Sequence, residues 1–277
     1  MNPFDLWIIH FVNSFAHRSW IVDATVVMIS NNDFLVGAVL AAMYWWAWME
    51  QGRESIGRRE TLVVSLFLAT PFATLVARVL AVSLPYRERP LRNALLHFHL
   101  PYTANPDSLI HWSSFPSDHA VVSFCLAAGL WMVSRRLGAL ALTYAALISL
   151  PRIYYGVHYP TDILAGALVG IGFAFLTKVP SLRNMARVSL NYLGRRPAYL
   201  YCLLFMWTFE TAEMFDSLRQ IGVLGVKIAL KYPRWEIEEL LGPLLLAGLL
   251  GVLGWLLWRK HHPLTKHGKL ADRQRAA

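Results

Sequence analysis

The chain has 277 residues, 56% hydrophobic and 16% charged, with 11 Trp, 11 Tyr and 14 Phe and a mean hydropathy of +0.41. Soluble domains run nearer roughly 45–50% apolar and about 25% charged, so this chain lacks the charge to coat a water-facing surface, and disorder, collagen and a disulfide scaffold are excluded with it. Its formal charge of +9 has to be read through membrane topology before any nucleic-acid partner is considered.

Crossing about 30 Å of hydrocarbon takes roughly 20 mostly apolar residues. Residues 1–31 open with Phe4, Leu6, Trp7, Ile8, Phe11 and Val12 beside Asn13 and His17, a pattern that predicts an interfacial helix, with Ile21–Ile29 as a half-span. No basic region followed by a small-residue cleavage site marks a signal peptide. The predicted spans are 34–49, 61–84, 118–134, 137–151, 162–179, 198–216 and 240–258. The fold class is therefore all-α, a polytopic membrane helix bundle. Its parts are the 1–31 segment, a core over 32–180, extra spans over 181–258 and a basic tail, 259–277. Trp45, Trp46, Trp48, Trp255 and Trp258 read as an interfacial belt. Cys125 and Cys202 lie in apolar stretches, as buried reduced thiols would.

Placing the 51–60 loop in the cytoplasm puts 16 Lys/Arg on that side and 8 on the other, which favours this orientation. The basic tail is then a cytoplasmic anchor near anionic headgroups, and no nucleic-acid partner is required.

With this topology, the polar residues collect on the outer face. Segment 85–90 reads Pro-Tyr-Arg-Glu-Arg-Pro, segment 112–120 carries Pro116-Ser117-Asp118-His119, and segment 151–162 runs from Pro151-Arg152 to His158 and Asp162. A helix opening at Ser117 or Asp118 presents backbone N–H groups, which attract phosphate through hydrogen bonds and the helix dipole. Arginines supply planar donors suited to phosphoryl oxygens. His158 offers a nucleophile or base, with Asp162 four residues on to fix its tautomer; His119 offers a proton donor. Arg78 lies about two turns inside an apolar span, where an ionised group is costly unless it is paired or faces a polar cavity. Glu210, Glu213 and Asp216 stand at helical spacing near the outer end of a span. His97, His99 and His111 read as surface residues of the outer loop, and His261, His262 and His267 are too scattered to bind metal.

These segments resemble the type 2 phosphatidic acid phosphatase (PAP2) superfamily over roughly residues 60–180. Arg152, five residues, His158, three residues and Asp162 match its third motif. Pro116-Ser117-Asp118-His119 matches the second, with Asp118 in place of Gly. Arg89-Pro90 matches part of the first, although Val82 stands where a basic residue is usual, and Pro151 replaces a Ser. The resemblance implies a PAP2-type core; the additional C-terminal transmembrane helices beyond residue 180 are expected from the apolar runs, and the family core gives no account of them. It implies His158 as a phosphohistidine-forming nucleophile, Asp162 as its orienting partner and His119 as general acid. Arg78, Arg87, Arg89, Ser117, Asp118 and Arg152 form the implied phosphate-binding set. It implies no metal and no cofactor. The substrate would be a lipid phosphate such as undecaprenyl diphosphate, phosphatidic acid or phosphatidylglycerol phosphate, hydrolysed at the outer face of a bacterial inner membrane. A lipid phosphotransferase, or a non-catalytic lipid-binding or transport protein of the same fold, are the alternatives. Vanadium-dependent haloperoxidases share the motifs but are soluble. The oligomeric state is left open.

Overall fold

The structure is a computed structural model that describes residues 2–32, 34–50, 56–107, 109–110, 112–218 and 220. The described residues form helices and connecting segments without strands. The helices are α1 (Pro3–Asn13), α2 (Trp20–Asn31), α3 (Val39–Glu50), α4 (Ile56–Val64), α5 (Thr70–Ser83), α6 (Asp118–Val133), α7 (Arg135–Tyr154), α8 (Pro160–Ala174), α9 (Pro180–Leu193) and α10 (Pro197–Ala212). Among the described residues, three helical runs are long and apolar enough to cross a membrane: Ile56–Ser83, Arg135–Tyr154 and Pro160–Lys178. The pair α2 and Phe34–Glu50 passes the same test together, bent by 61°. The predicted span 240–258, Trp255, Trp258 and the basic tail lie outside the described residues.

Ile56–Ser83 is continuous because a π-helical turn, Ser65–Ala69, joins α4 to α5. Pro71 has no N–H to give to the preceding turn. The backbone there widens instead, with the Thr70 N–H reaching Ser65 O and the Thr70 hydroxyl reaching the same carbonyl at 2.9 Å. Helix α7 runs a turn past the predicted end, through Pro151 to Tyr154, so Arg152 sits on a helix and not in the loop predicted to begin there.

Helices α6 and α8 form the centre of the bundle. Gly166 and Gly170, four residues apart on α8, let the two backbones approach closely, as small residues do where membrane helices cross. A Cβ on Gly166 would lie 2.5 Å from Ser117 O, and one on Gly170 2.2 Å from Val121 O. The consequence is chemical. The N-termini of α6 and α8, carrying His119 and Asp162, are drawn to one end of the bundle, and Ser117 N–H donates to Asp162 O at 3.1 Å.

At the opposite end, buried Glu60 pairs with Arg187 at 2.5 Å and Arg183 at 3.3 Å. Several sequence expectations change here. Trp48 is buried, and Trp45 donates to the Thr208 hydroxyl at 3.0 Å, so of these three only Trp46 is exposed. Cys125 is buried, whereas Cys202 is exposed. Helix α10 stops at Ala212, and Met214 and Phe215 take positive φ. Glu210, Glu213 and Asp216 therefore do not share one helical face. They accept locally from Leu218 N, Ser217 Oγ and Gln220 Nε2.

Candidate active site

Three segments distant in sequence are stitched together by backbone hydrogen bonds at the α6/α8 end. Ser114 N–H donates to Arg87 O at 2.9 Å, Leu91 N–H to Gly156 O at 2.9 Å, and Ser117 N–H to Asp162 O. Gly156 has φ +81°, and Phe98 sits where a Cβ would project; glycine meets both demands. The Phe115–Pro116 peptide, just ahead of α6, is cis.

His158 lies in the short connection between α7 and α8 and is 4% exposed. Its Nδ1 is 2.8 Å from Ser114 O. A carbonyl only accepts, so Nδ1 carries the proton and Nε2 keeps its lone pair. Asp162 is 3.8 Å from the same Nδ1, a charge neighbour and not the direct hydrogen-bond partner. Its carboxylate instead accepts from Tyr159 N–H at 2.8 Å, capping α8 from its third residue, and pairs with Arg87. Burial pushes the His158 imidazole below its ordinary pKa; Asp162 opposes this, while Arg89 and Arg152 reinforce it.

His119 stands in the first turn of α6, within reach of the charges of Arg152, His158, Arg78 and Arg89. The two histidines and these arginines therefore lie near one another at this end of the bundle. Arg78 pairs with Asp118 at 2.7 Å and lies 4.5 Å from the centre of the Trp112 ring. The carboxylate that replaces the usual glycine is thus held by an arginine, which answers the desolvation cost noted for Arg78. Arg89 is 4% exposed and donates to three backbone carbonyls, Trp112 at 3.2 Å, Val157 at 2.6 Å and Ser113 at 3.2 Å. Burial pushes its guanidinium pKa down to about 10, with Asp118 and Asp162 acting the other way; it stays charged at neutral pH. Arg152, also buried, donates to Ser30 O at 3.0 Å.

Ser117 is fully buried, and its hydroxyl has no hydrogen-bond partner among the described residues. Such a group is costly to leave unsatisfied and is suited to an oxygen-rich ligand. Arg87 is committed differently. Besides Asp162 it pairs with Asp5 at 2.6 Å, donates to Thr161 Oγ1 at 2.9 Å and lies over the Tyr159 ring at 4.1 Å. It is held between two carboxylates.

Residues 62–185 match the model of the PAP2 superfamily. This segment, just under half of the chain, is similar to a PAP2 superfamily domain. Undecaprenyl-diphosphatase BcrC of Bacillus subtilis is 24% identical over 165 residues, 60% of this chain and 78% of that protein. Putative undecaprenyl-diphosphatase YbjG of Escherichia coli is 27% identical over 154 residues, 55% of this chain and 69% of that protein. Among solved structures, LpxE of Aquifex aeolicus aligns at 25% identity with a TM-score of 0.47, over 65% of this chain and 99% of that one.

The PAP2 domain holds all nine sequence-derived site residues. Sequence reasoning missed the Ser114 carbonyl, a backbone group with no residue signature, and Thr161. It also missed Asp5, which lies well ahead of the domain. A signal for Asp5 existed, since an acidic residue inside an otherwise apolar helix calls for a partner by the same reasoning applied to Arg78.

Proposed function

We propose that this protein is a membrane lipid phosphatase that works without a metal ion and favours a lipid diphosphate of the undecaprenyl diphosphate class, with its site at the outer face of a bacterial inner membrane. The observation that carries the reading is the fixed tautomer of His158: its Nδ1 proton is held by Ser114 O, which leaves Nε2 as a nucleophile in a pocket edged by arginines. Nε2 attacks the terminal phosphorus, and the bond from phosphorus to the bridging oxygen breaks. His119 supplies the proton to that oxygen, releasing the lipid monophosphate. The imidazole, now phosphorylated on Nε2 and protonated on Nδ1, is positively charged. Ser114 O accepts its proton and Asp162 lies beside it. Water then gives a proton to His119 and attacks phosphorus, the P–N bond breaks, and inorganic phosphate leaves with neutral His158 restored.

The transferred group spreads its charge over the equatorial oxygens, so Arg78, Arg89, Arg152, the Ser117 hydroxyl and the N–H groups opening α6 carry the stabilisation. The lipid diphosphate preference draws its support from the similarity to the undecaprenyl-diphosphatase BcrC and the putative undecaprenyl-diphosphatase YbjG. The outer placement draws on charge asymmetry. The loops at the α6/α8 start oppose an end carrying Arg135, Arg136, Lys178, Arg183, Arg187, Arg195 and Arg196. Residues 1–31 would lie along that outer interface, since Phe4, Trp7, Phe11 and Trp20 are exposed on α1 and α2.

Detergent-purified protein with EDTA present, given undecaprenyl diphosphate, phosphatidic acid and phosphatidylglycerol phosphate, tests the reading. Wild type is expected to release inorganic phosphate, fastest from the diphosphate, and His158→Ala to lose at least about 10³-fold. Equal release by the two proteins refutes the mechanism. Release that appears only on adding an acceptor alcohol, with phosphate found on that alcohol, makes the protein a phosphotransferase.

A further inference from the structure

Helix α1 lies outside the PAP2 domain, yet its Asp5 is fully buried against the site. One carboxylate oxygen of Asp5 accepts Thr161 N–H at 3.0 Å, one of the free N–H groups in the first turn of α8. The other accepts the Thr161 hydroxyl at 2.6 Å, Arg87 Nη2 at 2.6 Å and Asn2 Nδ2 at 3.2 Å. Arg87 Nη1 continues from there to Asp162, and Asp162 stands 3.8 Å from His158. The order is Asp5, Arg87, Asp162, His158.

We infer that Asp5 is a positioning residue for the reaction. By holding Arg87 and drawing off half of its charge, it leaves Asp162 negative enough to stabilise the cation formed on His158. This rests on the phosphohistidine reading above. Two carboxylates around one guanidinium leave a net charge of −1. With Asp5 neutral, the whole charge of Arg87 falls on Asp162, and the phosphorylated imidazolium loses its counter-charge. The groups facing His158 are then Asp162 on α8, Arg89 on the outer segment, Arg152 on α7 and His119 on α6, three of them cationic or neutral.

The experiment compares wild type, His158→Ala, Asp5→Asn and Arg87→Gln, full-length in detergent, by phosphate release from undecaprenyl diphosphate across pH and by thermal unfolding. Asp5→Asn is nearly isosteric and keeps an oxygen for Thr161 N–H. It is expected to lower kcat roughly tenfold with KM little changed, and to move the acid limb of kcat/KM down by about half a pH unit to one unit. Arg87→Gln should move that limb the opposite way, because Asp162 is then felt in full. A merely structural Asp5 would lower the unfolding temperature and leave the limb in place, and that result overturns the inference. If Asp5→Asn does not purify folded, Arg87→Gln decides alone, and a limb that stays or falls overturns it. Failure of the underlying reading is separate: wild type and His158→Ala then release phosphate equally, whatever Asp5 does.

Discussion

Adding one methyl group to Gly166 tests whether the α6/α8 crossing sets the geometry of the site. The Cβ of Gly166→Ala would stand 2.5 Å from Ser117 O and 3.0 Å from the Ala120 Cβ. Ser117 O cannot turn aside, because it accepts the first helical bond of α6, from Val121 N at 3.0 Å. The helices must therefore part by about 0.9 Å to restore ordinary van der Waals contact near 3.4 Å. Overpacking of this kind costs about 1–3 kcal/mol, partly offset by the roughly 1 kcal/mol by which Ala favours a helix over Gly. Gly172→Ala on the same helix supplies the reference, since nothing lies within 4 Å of its Cβ. The propensity gain is common to both, so Gly166→Ala should be about 1–3 kcal/mol less stable than Gly172→Ala. Its cost in activity should be larger than its cost in stability. Moving Ser117 moves its hydrogen bond to Asp162 O and displaces His119 from His158, and a displacement near 1 Å costs on the order of 10²-fold in rate. Thermal unfolding in detergent and kcat/KM for phosphate release measure the two effects. Matching stability and activity in the two alanine variants would refute the idea that close backbone approach sets the site.

Two more outcomes follow from the pocket. Asp162→Asn removes the group that holds the His158 pKa up against burial. The sign is therefore downward: the acid limb of kcat/KM should move to lower pH while kcat drops by about 10²-fold or more, and an upward shift would contradict the assigned role. Arg89→Lys keeps the charge but not the fork that spans the carbonyls of Trp112, Val157 and Ser113. Leaving two of them unsatisfied should cost about 2–4 kcal/mol, seen as a lower unfolding temperature together with weakened phosphate release; an unchanged unfolding temperature would refute it.

The sequence was most informative where physics acts locally. Continuous apolar runs marked α6, α7 and α8. Charges gathered in three segments at helix ends point to one anion site from the sequence alone. The illegible parts depend on partners distant in the chain. Asp162 was expected to orient His158 from its spacing of four residues. The structure gives the direct bond to Ser114 O, 44 residues away, and no side-chain pattern encodes a backbone carbonyl. Arg87 and Arg89 stand two residues apart on one short segment, and their spacing alone does not tell their partners apart. Which of them meets carboxylates and which meets carbonyls depends on α1, whose docking follows from Asp5 and from the exchange between Asn13 and the His99 backbone at 2.7 and 2.9 Å. Trp48 was misplaced as an interfacial residue because aromatic composition says nothing about which helix face has a neighbour.

The different fates of these two arginines carry the electrostatic logic of the site. Arg87 is bracketed by Asp5 and Asp162, so its charge is more than cancelled locally, and it serves to fix the base of α8. Arg89 is held as firmly, but by carbonyls that are neutral. Fixing a cation with dipoles instead of counter-ions gives rigidity without spending the charge, at the cost of the burial that lowers its pKa to about 10. In the proposed reaction a phosphoryl group would then encounter a preorganised positive field that needs no side chain to reorient as charge develops, which is the condition under which such a field lowers a barrier most. Arg78 completes the pattern from the other side. Paired to Asp118 at 2.7 Å, it would offer a substrate of the proposed reaction only the charge left after that pairing, so more of the field on phosphorus would come from Arg89, which no carboxylate pairs directly among the described residues.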